Sequence, residues 1–138
     1  MKRILSTALA LVSAIGLYAQ IAPLEVQAKF VKVLLTSTGQ FGFACNDEAL
    51  KKKLEEMGVS VGPGFKFAWG ASEAEVRALK AQNRFIICPN VAWLRLGASL
   101  AVVDEGGKPQ LYVHPENVKA SGVNLPDNIA KIARKVAP

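Results

Sequence analysis

The chain has 138 residues, with 17 Lys+Arg against 11 Asp+Glu and a formal net charge of +6; 51% of the residues are hydrophobic and 20% charged. Those proportions exclude a disordered chain, and the length favours one folded domain. Two cysteines and one histidine are too few ligands for a zinc finger, an iron–sulfur cluster or a His-rich metal centre, so neither metal nor cofactor is expected.

Lys2 and Arg3 open the chain, an apolar run from Ile4 to Ala19 follows, and then come Pro23 and Val26-Gln27-Ala28. Basic, apolar, then small is the order of a secretory signal peptide. The expectation is a signal at 1–28, cleaved after Ala28, and a single exported domain at 29–138. The apolar run is short for a membrane span of about 20 residues, so no membrane insertion is expected once the signal is removed. The basic excess is spread along the chain. Lys51-Lys52-Lys53, followed by Glu55-Glu56, reads as a solvated helix face. No aromatic residues interleave with the basic ones, so nucleic acid is not an expected partner.

Lys29–Leu35 is apolar and partly alternating, and fits either an edge strand or a first helical turn. Phe41–Cys45 reads as a buried strand. Asn46 or Asp47 then caps a helix over 48–57, with Ala49, Leu50, Leu54 and Met57 on one face and Gly58 at its end. Val59–Gly64 reads as a loop. Phe65–Trp69 alternates like a half-buried strand. Ser72-Glu73-Ala74-Glu75 is a capping box that opens a second helix, running to about Gln82. Arg84–Cys88 is a third strand, ended by Pro89. Ser99–Val103 and Gln110–Val113 form a hairpin around Gly106-Gly107. Pro115 starts a short helix that stops at Gly122, and Ile129, Ile132, Ala133 and Val136 mark a final helix. The fold class predicted is α/β: a three-stranded parallel βαβαβ unit of order 2-1-3, extended by a C-terminal β-hairpin and a final helix.

That order makes the strands ending at Cys45 and Cys88 neighbours, about 4.8 Å apart. A Cys45–Cys88 disulfide is then geometrically feasible in an oxidising compartment, and would contribute about 3–4 kcal/mol. The alternative is two reduced, buried thiols. No Cys-x-x-Cys motif is present. His114 precedes Pro115 at a helix start, where capping is the expected role. Gly62-Pro63-Gly64 and Gly106-Gly107 lack the flanking residues of phosphate loops and read as turns. No carboxylate pair stands in an apolar setting and no Gly-x-Ser-x-Gly elbow occurs, so no catalytic residues are assigned. Trp69, Trp93 and Leu94 fall at or just beyond the carboxyl ends of strands and form a candidate partner or ligand surface if exposed together.

The segment from Ser99 combines a strand, an acidic-glycine turn, a second strand, Asn117-Val118-Lys119-Ala120-Ser121-Gly122-Val123 and a helix of Ile, Ala and basic residues. Together with Phe43-Ala44-Cys45-Asn46-Asp47 and Phe85-Ile86-Ile87-Cys88 it resembles the YfiR family of small periplasmic proteins. Asn124-Leu125-Pro126-Asp127 stands where that family usually has Arg-Ile-Ser-Ser. The resemblance implies a non-enzymatic regulator that binds the periplasmic part of an inner-membrane sensor or diguanylate cyclase and holds it inactive. A homodimer is the expected assembly. A fainter resemblance, carried by Cys45 before a helix and by Ala71–Gln82, is to DsrE-type sulfur-relay proteins, and implies a thiol carrier using Cys45.

Overall fold

The computed structural model describes residues 20–136. The Ile4–Ala19 run of the expected signal lies outside the described residues. Residues 20–28 do not, and they belong to the packed fold. Strand β1 (Gln20–Ile21) pairs antiparallel with Asp104 and Val103. Ala22 is buried behind it, and Gln27 and Ala28 are buried in helix α1 (Leu24–Ser37). Cleavage after Ala28 would divide that helix, so the folded unit includes nine residues ahead of the predicted boundary. The segment 29–35, which fits strand or helix by pattern, is helical because Val31, Leu34 and Leu35 recur on one buried stripe.

The chain continues through β2 (Gly42–Phe43), α2 (Glu48–Glu56), β3 (Ser60–Val61), β4 (Phe67–Trp69), α3 (Glu73–Ala81), β5 (Phe85–Cys88) and a 3₁₀ turn (Val91–Leu96). It ends with β6 (Leu100–Glu105), β7 (Lys108–Val113), α4 (Pro115–Ser121), α5 (Asp127–Ile132) and β8 (Ala133–Lys135). Local chemistry sets most of the boundaries. Asp47 Oδ1 accepts the Leu50 N–H at 3.1 Å to open α2. Ser72 Oγ accepts from Glu75 N, and Glu75 Oε1 accepts from Ala71 N, to open α3. Gly106 and Gly107 take positive φ in the β6–β7 turn, where Asp104 Oδ1 accepts from Gly107 N.

The fold is α/β, with a mostly parallel sheet. β3 pairs with β2, a single parallel bridge (Ala44 with Ala68) joins β2 to β4, and β4, β5 and β6 follow in parallel. β7 runs antiparallel to β6, and β8 parallel to β7. The five parallel strands stand in the order β3-β2-β4-β5-β6, the 2-1-3-4-5 order of one doubly wound class. The predicted order 2-1-3 for the segments at 41–45, 65–69 and 84–88 is therefore corrected. β3, only two residues long, lies inside the segment read as a loop and takes the outer position. β4 stands between β2 and β5.

The final helix is corrected too. It stops at Ile132, and Ala133–Lys135 is drawn into the sheet beside Leu111–Val113. Backbone pairing at an open sheet edge outweighs a short helix with one well-buried contact, Ile129.

Side chains divide the core into two layers. α1, α2, Val118 and Ile129 pack on one face against Phe43, Phe67, Trp69, Phe85 and Ile87. Phe67 and Phe85 stack there with centroids 4.6 Å apart. α3 and the 3₁₀ turn pack on the other face against Ile86, Cys88 and Ala101.

Candidate functional site

In a sheet of this order, the chain crosses one face from β2 to β3 and must cross back over β2 to reach β4. The first crossing carries α2. The return has only Gly62–Lys66 and no helix. Phe43 and Cys45 face the α1/α2 layer, so Gly42 and Ala44 face the other way. The Phe65 ring lies directly over Gly42, in the space a Cβ would need. Beyond it, Ala44 floors a cleft of about 380 Å³. Val61, Gly62 and Pro63 form one wall, with Leu79 of α3 and Gln82 at that helix's C-terminal end opposite; Cys45, Asn46, Lys51, Trp69 and Arg84 complete the lining. The cleft is the gap left by the missing crossover helix, at the switch point between β2 and β4. Crevices of this kind are where open α/β sheets take ligands.

The lining carries two cations, Lys51 and Arg84, and no carboxylate. Arg84 holds the crossover in place: Nη1 donates to Phe65 O, and Nη2 to Pro63 O at 2.8 Å. Lys51 takes no part in the three ion pairs formed among the described residues. Of the carboxylates near Cys45, Asp47 and Glu75 are committed to capping bonds. His114 is elsewhere, as the N-cap of α4, where its Nδ1 accepts from Asn117 N at 3.2 Å. The cleft therefore offers charge and hydrogen-bond donors without a paired nucleophile and base.

The predicted Cys45–Cys88 disulfide is not formed: both thiols are free and buried. Cys45 points into the α1/α2 layer and Cys88 into the α3 layer. β4 lies between their strands, so two strand spacings of about 4.8 Å and the sheet itself separate them. That exceeds the reach of a disulfide. Burial pushes each thiol from an ordinary 9.0 up to about 12, partly offset by the backbone of Asp47 at Cys45 and of Asn90 at Cys88.

The candidate surface of Trp69, Trp93 and Leu94 is likewise corrected. Trp69 and Leu94 are 2% and 0% exposed, in different layers of the core, and Trp93 is half-buried beside Leu94's layer. Trp69 alone reaches the cleft. Reading along the chain missed Lys51, Gln82 and Arg84. Lys51 sits in a run of lysines, and only the fold turns one of the three toward the cleft. Arg84 stands just before an apolar strand, a position that leaves its partners unspecified.

No family model and no curated protein matches the chain. Solved structures do resemble it. A conserved domain protein from Vibrio cholerae O1 biovar El Tor superposes with a TM-score of 0.63 at 10% identity, covering 86% of this chain and 61% of that one. An ABC domain in complex with L-Trp from Streptococcus pneumonia superposes with a TM-score of 0.59 at 12% identity, covering 83% of this chain and 62% of that one. The chain thus spans about three fifths of the length of each. At such identities the likeness shows the α/β fold alone.

Proposed function

We propose that this is an exported, non-catalytic binding protein: a regulator that grips the periplasmic part of an inner-membrane sensor or cyclase, as the YfiR resemblance implies. The observation that carries the reading is the chemical inventory of the switch-point cleft, which has cations and amides but no nucleophile–base pair. A thiol carrier built on Cys45 has less support, since a carrier needs an accessible thiolate, and this thiol is 8% exposed and held up at about 12. Phe41 supplies an anchor for a partner: it is 77% exposed and stacked edge-on against Phe65, with ring centroids 5.9 Å apart.

Export would follow processing between Ala19 and Gln20 rather than after Ala28. That position keeps a small residue before the cut and leaves β1 and α1 whole.

Tagged protein expressed with its leader in the native host tests the reading. Capture from detergent-solubilised envelope is expected to recover an inner-membrane sensor, and Phe41→Ala to reduce that recovery. Recovery of soluble metabolic enzymes only would count against the regulator.

A further inference from the structure

We infer that the cleft over Ala44, between α3 and the helix-less crossover, binds a small organic acid: one carboxylate on an apolar body. The inference goes beyond the regulatory reading and does not rest on it.

Four observations converge. Lys51 is half-buried at the cleft and is absent from the ion pairs among the described residues. A cation so placed, with a second one at Arg84 and no carboxylate in the lining, favours an anion. The amide groups of Gln82 and Asn46 add neutral donors. Val61, Pro63 and Leu79 over Ala44 provide the apolar surface on which a ligand's body would lie. The volume, about 380 Å³, is at the small end of ligand sites.

The same residues argue against a phosphate. A phosphate cradle needs several free backbone N–H groups. In the crossover wall the Gly62 N–H is already given to Phe43 O at 3.0 Å, and Pro63 has none. Arg84 has two of its donors on backbone carbonyls. What remains suits the single charge of a carboxylate, with Lys51 as the principal partner.

The test is titration of the isotope-labelled protein, followed by amide NMR shifts, with phenylacetate as probe and phenylacetamide and inorganic phosphate as controls. Saturable shifts confined to 44–46, 51, 61–62, 69 and 79–84 are expected with phenylacetate, and neither control should reproduce them. Lys51→Gln should weaken phenylacetate binding about tenfold. Gln82→Glu, on an exposed side chain, adds a repelling charge to the cleft and should weaken it further while leaving the unliganded spectrum folded. Equal binding of the amide, stronger binding of phosphate, indifference to both substitutions, or no saturable shift at millimolar phenylacetate would each overturn the inference. Because no partner protein is present, a negative result leaves the regulator reading standing, and failure to capture a membrane partner leaves this one standing.

Discussion

Phe65 lies flat against Gly42, so that its ring occupies the place of a Cβ at that position. The contact lets five residues cross β2 without a helix. Gly42→Ala would force the ring off the strand and disturb its edge-on contact with Phe41. A destabilisation of about 1–3 kcal/mol is expected from urea unfolding. In a Phe65→Ala background the same substitution should cost much less, and a double-mutant cycle measures the difference. Equal costs in the two backgrounds would refute the contact.

Asn117 ties α4 to the 3₁₀ turn, its Nδ2 donating to Leu94 O at 2.8 Å and to Ala98 O at 2.9 Å. Asn117→Ala takes the side-chain donor from Ala98 O and leaves Leu94 O with only the Gly97 N–H at 3.3 Å, and should cost about 1–3 kcal/mol. Asn117→Asp should cost more, because a carboxylate there faces two carbonyl oxygens and has nothing to donate. If the aspartate variant proves the more stable, the bonds are misassigned.

Both thiols are held at about 12 by burial, above their ordinary 9.0. The unfolded chain therefore ionises its thiols at lower pH than the folded one. The stability this protects is full below about pH 9 and falls as pH rises from about 9 to about 12. A thiol reagent at neutral pH should label neither cysteine in the native protein and both after unfolding. Between about pH 8 and pH 10.5 the loss of stability should be shallower when both cysteines are alanine, which separates the thiols from lysines titrating nearby. A single fast-reacting thiol at neutral pH would revive the carrier.

The amino-terminal boundary is open to direct measurement. A chain beginning at Gln20 keeps the pairing of β1 with β6 and the buried Ala22, Gln27 and Ala28. One beginning at Lys29 loses all of them, along with the first turn of α1. The shorter chain should unfold about 2–4 kcal/mol more easily, on the scale of a few buried side chains. On the proposed export, the amino-terminal sequence of the processed chain is expected to begin at Gln20. A mature chain beginning at Lys29 with unchanged melting temperature would contradict this boundary.

The local signals were legible without coordinates. Ser72 and Asp47 cap the helices that their spacing announces, and Gly106-Gly107 turns the hairpin. Alternation and helical periodicity were enough for the α/β class, because each depends on residues a few positions apart. Period two sets Cys45 on the side of Phe43 and Cys88 on the side of Ile86. It could not say which layer each pair would face, nor that two residues at Ser60–Val61 would join β2 and leave β4 between the cysteines. Strand order, the sides of the sheet, the gap over Ala44 and the company of Lys51 and Arg84 arise from pairings between distant segments. Only the tertiary structure decided those, since the hydrogen bonds and buried area that choose among pairings exist only once the segments have met.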